Sequence, residues 1–223
     1  RISFDGKYWY ISVGIEKENP KVELTKESIG IDVGIKNLAK CSNEMTFENI
    51  NKTKLAKKSE KKLRRLQRKV SKKYELNKEG RKFVKTSNIK KLEKQIRLLH
   101  RRLSNIRNNH LHQATTKIVK TKPSRVVMET LNIKGMMKNK HLSKAIQQQG
   151  LYEFKRQIQY KCEIYGIEFI EADKWYPSSK MCSECGHIKH KLSLSERTYI
   201  CEECGAVIDR DFNASINLSR YSA

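Results

Sequence analysis

Four cysteines set in two matching turns constrain this chain more than any other feature. Between Trp175 and Leu218 it reads WYPSSKMCSECGHIKHKLSLSERTYICEECGAVIDRDFNASINL. Two Cys-x-x-Cys-Gly turns, Cys182/Cys185 and Cys201/Cys204, are separated by fifteen residues. Thiolates from two such turns close a tetrahedron around one zinc ion. Gly186 and Gly205 follow the second cysteine of each turn, where a left-handed backbone lets amides point back at sulfur. A pair of disulfides is the competing reading, and it suits a secreted protein. A closed four-cysteine zinc site leaves no open position for catalysis. Asp209 and Asp211 lie just beyond it, so the module is expected to hold something else in place.

Charge gives the second constraint. The chain carries a formal net charge of +24 over 223 residues. Such an excess attracts polyanions, and nucleic acid is the expected partner. No apolar run reaches membrane length and no signal-peptide pattern is present, so no membrane partner is expected. Cys41 and Cys162 stand apart from the paired turns and read as small buried hydrophobes. The cysteine usage fits a reducing cytoplasm.

Residues 1–16 read as a β-hairpin turning at Asp5-Gly6. Short strands are expected at 28–34, 38–41 and 45–50. Asp32 interrupts the first of these, and a carboxylate in a buried strand is costly unless paired or metal-bound. Gly30 and Gly34 flank it and would let other backbone or a ligand approach. Lys52 to Lys73 holds twelve Lys or Arg and one acid, Glu60. Leu63, Leu66, Val70 and Tyr74 recur there at helical spacing. A second helix carries a seam from Ile89 to Ile106 and ends before Pro123. The two helices are expected to form an antiparallel basic hairpin. Lys57, Lys61, Arg64, Arg65 and Arg68 are expected to track phosphates; a solvated charged face is the competing reading. His100, His110 and His112 read as surface residues.

A strand at 124–129 ends in Glu129, a helix spans 142–166, a strand spans 167–172, and a last helix starts near Asp209 as its cap. The order fits a mixed α/β sheet. If the strands bearing Asp32 and Glu129 are neighbours, these acids and Asp211 meet at one end of the sheet. Two Mg²⁺ ions would neutralise such a cluster and could clamp a phosphodiester.

GIDVGIKNLA, VVMETLNIKGM, WYPSSKMCSECG and CEECGAVIDRDFNASINL resemble, in that order, the TnpB (OrfB) proteins of bacterial insertion sequences, relatives of the type V CRISPR effectors. The resemblance runs from about Gly30 to the C-terminus. It implies an RNase H-like (RuvC) α/β fold with an inserted basic helical hairpin and an inserted C-terminal zinc ribbon. It implies Asp32, Glu129 and Asp211 as catalytic acids holding Mg²⁺ or Mn²⁺. It also implies cleavage of DNA directed by a guide RNA transcribed from the element's own end, in the bacterial cytoplasm at the nucleoid. A strand-transfer transposase, or a nuclease-inactive zinc-ribbon protein that binds nucleic acid, are the alternatives. The matching organisation is 1–27 as the end of a β-domain and linker, 28–174 as nuclease core with the insertion at about 52–120, 175–208 as ribbon, and 209–223 as the final core helix. Thr130 departs from the family's usual Asp after the second acid. The family's N-terminal recognition lobe is matched only at its end, by residues 1–16. The chain is therefore expected not to cut a guide-matched duplex alone, and at most to nick single-stranded DNA.

Overall fold

The computed structural model describes residues 1–193 and 195–222. The chain opens with β1 (Ile2–Phe4), β2 (Trp9–Ile11), β3 (Ser28–Val33), β4 (Asn37–Cys41) and β5 (Thr46–Glu48). Helix α1 (Lys54–Leu76), the short strands β6 (Lys78–Glu79) and β7 (Lys82–Phe83), and helix α2 (Ser87–Val119) follow. Next come β8 (Arg125–Glu129), α3 (Ile133–Met137), α4 (Ser143–Gln149), α5 (Leu151–Tyr165) and β9 (Glu168–Ala172). β10 (Thr198–Ile200), β11 (Val207–Asp209) and α6 (Arg210–Ser219) complete the chain. Two compact units result, one of Arg1–Glu18 with Ile50–His110, the other of Asn19–Asn49 with Leu111–Ala223.

The second unit is built on a five-stranded mixed sheet of order β5-β4-β3-β8-β9. β3, β8 and β9 run parallel, while β4 and β5 are antiparallel additions at one side. Strands covered on both faces need apolar residues on both, and β8 supplies them with Val126, Val127 and Met128, all buried. Side chains alternate between faces along a strand. On one face Ile29, Ile31, Val126 and Met128 pack with Leu111 and Ile118 of α2 and with Phe154 and Ile158 of α5. On the other face Val127 packs with Leu218 of α6. Cys41 and Cys162 lie buried in the first cluster, where burial pushes both thiols up to about 12.

The helix expected over 142–166 is two helices. Gly150 sits between them at φ 70°, its N–H bonded to the Ile146 carbonyl. An L side chain resists that angle, and the left-handed residue ends α4 and restarts the chain as α5. Helix α3 was not expected; the Asn132 side chain caps it, accepting from the Gly135 amide.

In the first unit, Asp5 shapes the β1–β2 turn, its Oδ1 accepting from the amides of Lys7 and Tyr8 at 2.9 Å. Arg101 of α2 forms an ion pair with the same carboxylate. α1 and α2 pack through Leu63, Leu99 and Leu103, with Leu66 and Ile96 partly covered.

Gly30 sets the spacing between α6 and β3. A Cβ built there would overlap the Ser215 carbonyl oxygen and the Ser219 amide nitrogen, and would lie 2.8 Å from the Leu218 Cβ. Two of those three atoms are backbone and cannot rotate aside. Gly30→Ala should therefore push the helix off the strand and destabilise the unit by about 3 kcal/mol. Urea denaturation of the variant beside Gly34→Ala checks this, because a Cβ at Gly34 would meet only the Asn37 carbonyl, at 3.6 Å.

Candidate functional site

The α6–β3 packing also decides which acids meet. Gly30 and Asp32 face the same side of β3, two residues apart. β3 and β8 are paired in parallel up to Ile31 opposite Met128, so Asp32 and Glu129 each sit one residue beyond the last pair. Val127, two residues before Glu129, packs on Leu218 of α6. Both acids thus face the helix, and Asp211 lies in its first turn. Burial raises the Asp32 pKa well above 3.8, and the negative charges of Asp211 and then Glu129 push it further. Burial raises Glu129 as well. The structure brings Asp32, Glu129 and Asp211 together at the end of the sheet.

Two cations that sequence reasoning missed border the cluster. The Arg210 guanidinium lies 3.3 Å from the Asp211 carboxylate and draws the Asp32 pKa down, against the larger effects that raise it. Lys40 stands opposite Asp32 in the β3–β4 register. Its ammonium is engaged elsewhere, 2.9 Å from Asp209 and 5.6 Å from the centre of the Phe212 ring. Burial works to raise the Asp209 carboxyl, but Lys40 and the Phe212 amide outweigh it and the pKa falls. Asp209 is the cap of α6, as its place in the sequence predicts, accepting from the Phe212 amide at 3.0 Å. Arg210 could have been noticed, since it stands between two acids. Lys40 could not, because only the strand register sets it across from Asp32.

Thr130 follows Glu129 and donates its hydroxyl to the Ala172 carbonyl at 2.7 Å. Ala172 is the ladder partner of Glu129 on β9. An aspartate here would set acceptor against acceptor; the threonine ties the two strand ends instead.

The four cysteines form a second centre. The ligand atoms of Cys182, Cys185, Cys201 and Cys204 all lie within 4.8 Å of one another and could hold a metal ion. Gly186 and Gly205 adopt φ of 79° and 71°. The Cys204 amide, with that of Glu203 behind it, outweighs burial and lowers the Cys201 thiol to about 6. This module is fastened to α6 by two buried asparagines. Asn213 donates to the Met181 carbonyl at 2.7 Å and accepts from the Ser183 amide at 2.9 Å. Asn217 donates to the carbonyls of Ser178 and Met181 at 2.8 and 2.6 Å.

In the first unit, Lys57, Lys61, Arg64, Arg65 and Arg68 line an open groove along α1 together with Glu60. Glu60 is itself engaged, 2.9 Å from Arg107 and 3.7 Å from Arg64. The groove therefore presents surplus positive charge. His100 and His112 are exposed and His110 partly so.

Comparison with known proteins now adds the lineage. The OrfB family model, described as "Probable transposase", matches residues 10–140, more than half of the 223. This chain belongs to the OrfB family. A second model, "Cas12f1-like, TNB domain", matches residues 152–218 of it. A Streptomyces pristinaespiralis protein named "Putative RNA-guided DNA endonuclease" is 34% identical over 210 residues, 94% of this chain and 49% of that one. The Escherichia coli protein InsQ, named in the same way, is 30% identical over 94% of this chain and 53% of its own length. The OrfB chain spans about half the length of these curated relatives. A CRISPR-Cas12f ternary complex shares the fold, with a TM-score of 0.66 at 24% identity over 95% of this chain and 41% of that one.

An acid with a raised folded-state pKa keeps its proton where the unfolded chain has already lost it. Stability is then full below the unfolded value and declines as pH rises toward the folded one. With no added divalent cation, the OrfB chain should lose stability as pH rises above 3.8, the ordinary value for Asp32. Asp32→Asn should flatten that decline, because an amide takes no part in the titration. Urea denaturation at pH 5 and pH 8 checks this; equal slopes in the two proteins would show that Asp32 is not the group responsible.

Proposed function

We propose that this OrfB chain carries the catalytic core of a metal-dependent DNA endonuclease, guided by RNA from the end of an insertion sequence and acting in its transposition. The observation that carries the reading is the meeting of Asp32, Glu129 and Asp211 beside one another. Three carboxylates facing each other in partly buried surroundings repel unless cations join them. Their hard oxygen donors suit Mg²⁺ or Mn²⁺ rather than a soft metal. When bound, such a metal pair activates water and offsets charge on the attacking and leaving oxygens. The chain's own contribution is positional: β3 and β8 fix two acids, and the cap at Asp209 orients the turn bearing the third. Arg210 balances part of the negative charge and would meet a phosphate entering the cluster.

The same reading makes the sheet with α6 an RNase H-like (RuvC) core, over 28–174 and 209–223. Residues at about 52–120 are its inserted basic hairpin, 175–208 its zinc ribbon, and 1–27 the end of a β-domain and linker. DNA and guide RNA are the proposed partners, with Lys57, Lys61, Arg64, Arg65 and Arg68 holding phosphates. The names of the Streptomyces and Escherichia relatives support this assignment. Six free thiols suit a reducing compartment, here the bacterial cytoplasm at the nucleoid.

Zinc is the proposed occupant of the cysteine site. A Zn–S bond of about 2.3 Å puts the sulfurs of a tetrahedron about 3.8 Å apart. The Cys182–Cys204 and Cys185–Cys201 sulfur separations are 3.7 and 3.5 Å. One zinc per chain is expected by elemental analysis of reduced protein. Cys201→Ser should abolish it and unfold the ribbon, because metal binding there is folding energy. Zinc-free protein that melts like the wild type would refute the site.

The activity test uses single-stranded DNA with Mg²⁺ or Mn²⁺. Nicking should require the divalent ion and fall to background in Asp32→Ala, Glu129→Gln and Asp211→Asn, each confirmed as folded and zinc-loaded. Nicking that survives all three substitutions would place the chemistry elsewhere. Recovery of joined strands in place of cut ends would favour a strand-transfer transposase.

A further inference from the structure

Trp175 is 82% exposed, more than any other large hydrophobic side chain among the described residues. A tryptophan offers the largest apolar surface of any side chain, and leaving it in water forgoes the stabilisation that burial would give. Nothing in the nuclease reading has used it. Its backbone, by contrast, is firmly held. The Trp175 amide donates to Asp173 Oδ1 at 2.7 Å, and the Asp173 amide donates to the Tyr221 hydroxyl at 3.2 Å. The Tyr176 amide closes the turn onto the Asp173 carbonyl at 3.0 Å. Tyr176 itself points inward, its hydroxyl donating to the Asn217 carbonyl at 3.0 Å and its ring set edge-on to Tyr221 at 4.8 Å. An anchored tyrosine thus presents the neighbouring tryptophan outward on a rigid turn.

The place of this turn matters. Ala172 is paired with Glu129 across the β8–β9 ladder. Trp175 is three residues further on, and three residues span at most about 11 Å. Neighbouring strands lie about 4.8 Å apart. The Trp175 backbone is therefore within reach of the acid cluster by a few nucleotides of extended single strand. The Lys174 ammonium lies 4.8 Å from the centre of the Trp175 ring. Such a cation leaves most of the ring accessible and supplies a partner for a phosphate beside a stacked base.

We infer that Trp175, with Lys174, is a base-stacking platform that holds the single-stranded DNA substrate as it leaves or enters the acid cluster. Stacking is tolerant of sequence because every base has a π-face, so the platform would fix the strand's position without choosing its sequence. The inference rests on the nuclease reading, and its occupant is single-stranded DNA. The ring, Lys174 and Glu129 all belong to one compact unit, the one that also holds the proposed catalytic acids.

The test uses tryptophan fluorescence of the zinc-loaded chain without Mg²⁺ or Mn²⁺, so that nothing is cut. Trp9 is the second of the two tryptophans, and Trp9→Phe leaves Trp175 as the sole reporter. The probes are a short oligothymidylate and an abasic oligomer of equal length. Emission of the free protein should be that of a water-exposed indole, and oligothymidylate should quench it. Oligothymidylate should also bind about 5- to 150-fold more tightly than the abasic strand, the range that loss of one stacked base produces. Trp175→Ala, followed by fluorescence anisotropy of labelled strands, should erase that preference while leaving abasic binding and its salt slope intact; Trp175→Phe should restore most of it. Salt-dependent binding with unquenched emission would overturn the platform and leave the nuclease reading standing. Failure of both oligomers to bind at any salt would overturn the nuclease reading and the inference together. A blue-shifted emission before any strand is added would show the ring already covered by protein and would overturn the inference. So would equal loss of both strands in Trp175→Ala, the sign of a structural role, or tighter binding of an oligouridylate than of the DNA strand.

Discussion

The direct contact between α6 and β3 is the constraint on which the rest of the unit depends. A helix normally stands off a sheet by the thickness of two layers of side chains. At Gly30 one layer is missing, and the backbone at Ser215 and Ser219 occupies the place where a side chain would be. The helix is fixed on three sides at once. Leu218 is buried against Val127, Asn213 and Asn217 hold the segment around Met181, and Ser28 donates to the Ser219 carbonyl. Two centres that are far apart in sequence are thereby positioned by one ten-residue element. Its first turn brings Asp211 to the strand ends, and its outer side carries the cysteine turns.

Electrostatics runs in opposite directions at the two scales of this molecule. The chain as a whole is +24, yet the acid cluster around Asp32 is negative. The surplus of lysine and arginine does not neutralise that cluster, for identifiable reasons. Lys40, the nearest cation by register, is engaged by Asp209. Arg210 pairs with Asp211 and also draws down the Asp32 pKa, but one guanidinium faces three carboxylates. A cluster left short of positive charge within a cationic protein is one whose mutual repulsion a divalent cation would relieve.

Much of this is legible in the amino-acid sequence, wherever a local rule leaves one solution. The paired Cys-x-x-Cys-Gly turns announce their own geometry. Asp32 and Glu129 stand out because an acid at the end of an apolar strand contradicts its surroundings. Gly30 and Gly34 look alike in the sequence, but only Gly30 is approached closely by other backbone; at Gly34 the nearest atom would be in ordinary contact. Nothing in the chain distinguishes them, because the difference lies in where α6 returns, almost the whole sequence later. The break at Gly150 is hidden for a related reason. A hydrophobic stripe that continues across a left-handed glycine keeps its periodicity on paper while the backbone breaks. Asn213 and Asn217 look like surface residues of a short helix; their burial follows only from the carbonyls they meet.

The asparagine pair also bears on what a closed four-cysteine cluster does for the rest of this unit. Four thiolates saturate their ion and can perform no chemistry on a substrate. The carbonyls that Asn213 and Asn217 bind belong to Ser178 and Met181, on the segment leading into the first cysteine turn. If that turn unfolds, buried amides lose their partners, and each orphaned group costs about 1–3 kcal/mol. The helix that bears Asp211 would then shed contacts on its outer side while the Gly30 contact held its inner side. A metal in the cysteine site would therefore reach the acids through the rigidity of α6, not through any shared ligand. The separation has a use. A metal held by four thiolates would stay in place and stiffen this side of α6, whereas oxygen donors such as those of the acid cluster hold divalent ions more weakly.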